Sequence, residues 1–368
     1  MTLLRVLAVL AASAAAVPAV ALADPPWRAP LPVDPVSSTT TLLTPQTGGP
    51  ILVGASSSRS LASPTVVARV QADGSTARRQ TLAIAYAKAA TFGRAGIVVA
   101  GSRPALTSDA AAKAPVVVAL GSARGIHAVG TSRALPGSRG QAVSSVGGNP
   151  ASGTVAVVTA SMYGRGAPTR TVWLYRGGRL RRALTFSAGT NARDTAVAVG
   201  ARGDVLVAWQ ARRAIYARHL GPSGHAGAAH RLGSGAQSAL QARLDDDGRL
   251  EVAWQSQRVS EGDAETPATV SYTSAPRGGR FAPARVVGGS SLTGTGRYVM
   301  RPGVRLVRTG PNASVLAWTE YDGTRFRVHV ADITAGTVGT PQTVSPADDD
   351  AVLADSRPRR RAGSSSSG

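Results

Sequence analysis

The chain has 368 residues, no cysteine, and 41 Lys and Arg against 20 Asp and Glu, a formal charge of +21 at neutral pH. The missing thiols exclude disulfides, thiolate metal centres and a cysteine nucleophile. The length permits a core that stands without cross-links, since large domains bury about 75% of the surface their unfolded chains expose.

A pI near 11.6 raises the question of nucleic acid, because Arg-rich surfaces neutralise phosphates. Only Lys88 and Lys113 are lysines, so nearly every cation is Arg, and the Arg residues are scattered through every segment. Scatter of this kind, beside abundant Ala, Gly and Val, matches the coding bias of a GC-rich genome. No stripe of alternating aromatic and basic residues is present to stack bases. Specific nucleic-acid binding is therefore not expected. An anionic polymer outside the cell remains the partner class that the charge favours.

In chain order, residues 1–23 read as a secretory signal. Arg5 supplies the positive start, Val6 to Val20 the apolar run, and Ala21-Leu22-Ala23 a small-x-small cleavage site before Asp24. The apolar run is short for a membrane span, and no later stretch approaches the ~20 apolar residues required. The mature chain is expected to be secreted, with no transmembrane segment after cleavage, and monomeric. Residues 24–49 form an extended leader rich in Pro, Ser and Thr. Pro25, Pro26, Pro30, Pro32 and Pro35 disfavour helix throughout it. Its end, Thr39 to Thr44, reads as a strand that could close a ring of sheets.

Residues 50–354 are hairpins. Thr195 to Gln210 and Ala239 to Gln255 are two copies of one pattern: an apolar run, a Gly/Asp turn, and a second run ending in Ala-Trp-Gln. Period-2 hydrophobics on both sides of such a turn predict a β-hairpin. Trp209 and Trp254 lie 45 residues apart, the length of four strands rather than two. A third Ala-Trp ending falls at Trp318. Corresponding runs at Ile51–Gly54, Gly96–Gly101, Thr154–Ala160, Asp204–Gln210, Arg249–Gln255 and Ala313–Thr319 mark the second strand of each unit. Alternating partners follow at Val66–Val70, Val172–Tyr175, Ala214–Arg218, Thr269–Tyr272 and Phe326–Val330. Gln80 to Ala90 is the single run that could wind as a helix, and it reads equally as a strand. Residues 355–368, rich in Arg and Ser, have nothing to bury and are expected to be disordered.

This repetition resembles the β-propeller superfamily, in which four-stranded blades pack face to face around a channel. The resemblance covers about Ile51 to Ala354 and implies an all-β fold of four-stranded blades, six favoured and five to seven open. In that frame Trp209, Trp254 and Trp318 are packing residues wedged between blades, each giving Nε1–H to a backbone carbonyl.

Sialidases are catalytic members of that group, and their repeat reads Ser-x-Asp-x-Gly-x-x-Trp. Arg243 to Trp254 carries Asp, Gly and Trp in that order, but Trp254 stands six residues past Gly248 where the repeat places it three past. Sialidases also need an arginine triad, a Tyr nucleophile and a Glu. Here Arg is too common, and Tyr163, Tyr272, Tyr298 and Tyr321 too alike, for a triad or a nucleophile to stand out. Asp245-Asp246-Asp247-Gly248 is contiguous, not alternate as a calcium loop requires, and reads as a solvated hairpin tip. The same holds for Asp348 to Asp350. His219, His225 and His230 cluster, with His219 able to face His230 across a hairpin, but their spacing matches no zinc motif.

The sequence therefore names no catalytic, cofactor-binding or metal-binding residue and calls for no cofactor. Its expectation is an exported, non-catalytic recognition or scaffold module that binds a protein or an anionic extracellular or cell-wall polymer through its blade loops. The loops singled out are the acidic Arg258–Pro267 and the Gly/Ser/Thr-rich Gly288–Arg297. The rival is a glycan hydrolase or lyase, sialidase-like, on the same scaffold, with carboxylates and Arg lining its channel.

Overall fold

A computed structural model describes residues 41–43, 45, 49–55, 63–71, 76–104, 110, 113–122, 133–161, 168–188, 194–235, 239–257, 268–289, 298–300, 303–310, 312–322, 324–345 and 358–360. The signal, most of the leader, His127, Tyr163, the loop Arg258–Pro267, Asp348–Asp350 and most of the tail lie outside them.

The described chain is all-β and folds as successive antiparallel meanders, each a contiguous stretch of sequence. Sheet one contains Thr41–Leu43, Ile51–Ala55, Thr65–Val70 and Thr76–Leu82. Sheet two contains Ala85–Phe92, Gly96–Ser102, Val116–Ser122 and Arg133–Ala134. Sheet three contains Gln141–Asn149, Thr154–Ser161, Thr169–Arg176 and Arg179–Ser187. Sheet four contains Thr195–Val199, Val205–Ala211, Ala214–Leu220 and Ala226–Ser234. Sheet five contains Ala239–Leu244, Leu250–Gln257, Ala268–Ala275 and Arg285–Gly288. Sheet six contains Val304–Gly310, Ala313–Tyr321 and Phe326–Thr334, with its fourth position shared by Thr337–Val338 and Gln342–Thr343.

All six runs expected as second strands are second strands. The stretch Gln80–Ala90 resolves into strand, since it spans the end of sheet one and the start of sheet two. Two readings are corrected. The strand near Thr39–Thr44 does not reach over to another sheet: Thr41–Leu43 pairs with Ile51–Val53 as the first strand of its own sheet. Within the tail, Pro358–Arg360 forms a short strand paired with Tyr298–Met300.

The first strands of consecutive sheets pack against one another, so they form the inner side of a propeller-like stack and the fourth strands its outer edges. Five apolar clusters occupy the spaces between sheets one and two, two and three, three and four, four and five, and five and six. Sandwiching explains why the second strands are not alternating. Thr154–Ala160 and Val205–Ala211 are buried at every position, because both faces meet a neighbouring sheet and both must be apolar.

Small residues set the spacing between sheets. Gly147 and Gly148 are successive in the first strand of sheet three and therefore point to opposite faces. A Cβ on Gly148 would stand 2.2 Å from Thr91 O of sheet two, and one on Gly147 would stand 2.8 Å from Val197 O of sheet four. The Gly pair lets three inner strands approach at once.

Candidate functional site

The Ala-Trp-Gln endings are structural. Trp209, Trp254 and Trp318 are buried. Trp254 donates its Nε1–H to Ser234 O of the preceding sheet at 3.0 Å, as expected of a blade tryptophan. Trp318 departs from the pattern and donates to the Glu320 carboxylate at 2.9 Å. Trp209 packs instead against Phe186 and Tyr216, with ring centroids 4.6 and 5.7 Å away. The Gln that follows was not singled out by sequence, although it recurs. Gln255 gives its amide to Thr319 O at 2.7 Å and accepts from Gly303 N at 2.8 Å, bridging from sheet five to sheet six.

Between sheets five and six lies a buried ionic seam. Arg243 Nη1 donates to Glu251 Oε2 at 2.7 Å, and Ser314 Oγ donates to the same oxygen at 3.2 Å. The Tyr272 hydroxyl donates to Glu251 Oε1 at 2.7 Å. Arg243 also contacts the Asp245 carboxylate as an ion pair, but out of hydrogen-bond alignment, leaving both Asp245 oxygens without such a partner. Burial pushes the Asp245 carboxyl up to about 6 from its ordinary 3.8, helped by the Glu251 charge and opposed by Arg243. Burial first, and Glu251 second, push the Tyr272 hydroxyl well above its usual range.

A tyrosine bonded to a glutamate beside an arginine has the parts of a nucleophile and its base. The seam lacks access: Glu251 is 1% exposed, Asp245 2% and Tyr272 3%. It is an internal tie between sheets. Asp245 is thereby moved from the solvated hairpin tip expected of it into the core, where Arg243 of the same hairpin pairs with it. Its neighbours do form the turn: Gly248 has φ +88°, and Asp247 Oδ1 accepts from Arg249 N at 3.0 Å. Asp246 pairs with Arg308 of sheet six.

The histidines do not converge. His219 pairs with Asp204 at 3.1 Å within sheet four, and the residue opposite His230 is Ala217. His329 stacks on Trp318 with ring centroids 5.6 Å apart. Among the described residues no group of His, Asp and Glu could hold a metal ion.

Antiparallel meanders send all second-to-third and fourth-to-first connections to one end of the stack. The connections 103–115, 258–267 and 289–303 all leave the strands at that end. The loops expected to carry specificity lie outside the described residues for most of their length, but the strands that flank them end on this side, as do those that flank 103–115. At the same end, Tyr86 stands where the first strand of sheet two begins. Its backbone is left-handed at φ +53° in a β-bulge between Ala85 and Lys88, and it is 60% exposed. A non-glycine residue in that region costs about 1–3 kcal/mol. The bulge is locked from below, since a Cβ on Gly101 would meet Ala85 O at 2.3 Å. Sequence reasoning had no signal for this position beyond a Tyr in an alternating run.

No family model and no curated protein matches the chain. Among solved structures it is similar to the crystal structure of a protein of unknown function from Dyadobacter fermentans. The identity is 11%, the TM-score is 0.45, and the match covers 83% of this chain and 93% of that one.

Proposed function

We propose that this chain is an exported, monomeric, non-catalytic recognition or scaffold module that binds a protein or an extracellular polymer through the loop-bearing end of its sheets. The observation that carries the reading is Tyr86, a large ring held in solvent by strained backbone at the end of the sheets where the strands flanking the long connections stop. Strain retained at an exposed aromatic is more characteristic of a ligand contact than of packing. Loops on a rigid scaffold are where binding residues concentrate.

The hydrolase reading draws less support. Most glycosidases need two carboxyl groups flanking the scissile bond, and sialidases a Tyr nucleophile with an acidic partner. None of the six first strands, which pack together on the inner side, carries an Asp or Glu. The Tyr272–Glu251–Arg243 constellation is sealed between sheets.

The test is binding of the purified chain from Asp24 onward to a panel of glycans, wall polymers and secreted proteins at about 150 mM salt. A ligand whose binding is lost in Tyr86→Ala while thermal stability is kept supports the reading. A panel on which no bound ligand depends on Tyr86, or turnover of any glycan on it, overturns the reading.

A further inference from the structure

The scatter of Arg along the sequence becomes ordered on the fold. The fourth strands are the outer edges of the sheets, and not one of them contains an Asp or Glu. Arg79 of sheet one, Arg179, Arg181 and Arg182 of sheet three, Arg231 of sheet four and Arg285 of sheet five are exposed on them. Among the described residues the carboxylates lie off the outer strands, and most of them are engaged. Asp245 and Glu251 face Arg243, Asp246 pairs with Arg308, Asp322 with Arg327, and Asp204 with His219. Nothing acidic on the outer strands neutralises the edge.

We infer that the outer strands of sheets three to five form a basic perimeter that binds a linear polyanion along its length. Charge complementarity fixes the chemistry, since guanidinium groups pair with phosphate, sulfate or carboxylate. Distribution over three consecutive sheets fixes the shape, since a compact ligand reaches one edge and a chain reaches several. Arg density peaks on sheet three, where Arg179, Arg181 and Arg182 fall within four positions. There the Arg181 Nη2 also donates to Ser223 O of sheet four at 3.0 Å, which holds the two edges together. This site is separate from the loop-bearing end and does not depend on Tyr86.

The experiment measures anisotropy of two labelled probes, heparin and poly(glycerol phosphate), with the chain from Asp24 onward at about 50 and about 150 mM salt. One variant combines Arg179→Gln, Arg182→Gln, Arg231→Gln and Arg285→Gln. Its control removes the same charge elsewhere with Arg103→Gln, Arg139→Gln, Arg213→Gln and Arg280→Gln, all exposed and off the outer strands. Equal thermal midpoints establish that both variants fold. The perimeter variant is expected to lose at least about tenfold in affinity and to show a flatter salt dependence, the control less than about threefold. Response to heparin alone identifies a sulfated or carboxylated glycan, and response to poly(glycerol phosphate) alone a phosphodiester polymer. Failure of the chain to bind either probe, or equal losses in the two variants, overturns the inference. Tyr86→Ala leaves polyanion binding unchanged, so failure of the loop-end reading is distinguishable from failure of this one.

Discussion

Gly288 ends the outer strand of sheet five beneath the ring of Trp318 in sheet six, so close that a Cβ there would lie 2.8 Å from three ring atoms. The same relationship recurs one sheet earlier, where a Cβ on Gly233 would lie 3.0 Å from Trp254 Cζ2. Each indole thus needs a glycine on the sheet before it. Gly288→Ala and Gly233→Ala are expected to destabilise the fold by about 1–3 kcal/mol each, the usual cost of overpacking. Gly310→Ala, whose nearest neighbour would be 3.7 Å away, changes stability little. Chemical denaturation of the three variants checks the order.

The Tyr272–Glu251 bond makes a second prediction. Tyr272→Phe keeps the ring but strips the hydroxyl from Glu251 Oε1, leaving a buried carboxylate oxygen short of a donor. A loss of about 1–3 kcal/mol follows. Glu251→Gln costs more, because it also removes one of the two anions that face the buried Arg243. Were the two variants as stable as the parent by urea titration, the seam would be solvated rather than internal.

Tyr86 separates fold from function. Tyr86→Gly relieves a left-handed residue whose backbone cost is about 1–3 kcal/mol, and a side chain 60% exposed gives up little buried contact. The variant is expected to be at least as stable as the parent in a thermal melt while losing ligand. Lower stability would show that the ring is packing.

How much of this was legible beforehand can be traced to particular residues. The second strands were readable because Val205–Ala211 and its counterparts are dense β-branched and small apolar runs bounded by Gly and Asp. Their burial on both faces was not readable as alternation, since sandwiching erases the polar face. The third strand of sheet two, Val116–Ser122, was overlooked because the long connection before it breaks the repeat length. Asp245 was misplaced because an Asp-Asp-Asp-Gly string looks solvated until Arg243, two residues before it, pairs with it inside the fold. The perimeter of Arg could not be seen along the chain at all. Its members lie in separate sheets, and only knowing which strand is outermost brings them together.

Asp245 supplies the pH dependence. Its folded carboxyl is raised to about 6 from 3.8 by burial and the Glu251 and Asp247 charges, with Arg243 and Arg308 opposing. The folded protein thus takes up this proton at a higher pH than the unfolded chain does. By linkage, its contribution is fully favourable below the unfolded value near 3.8 and is lost as pH rises through about 6. Acidification from about pH 7 to about pH 5 should therefore add stability through this group, opposite to the usual effect of a paired carboxylate. Asp245→Asn carries no such proton. Urea midpoints of parent and variant, measured side by side across that range, should converge as the pH falls, with the variant the more stable at neutral pH. Parallel curves would mean that Asp245 keeps its charge inside the folded protein, held by Arg243 more strongly than burial opposes it.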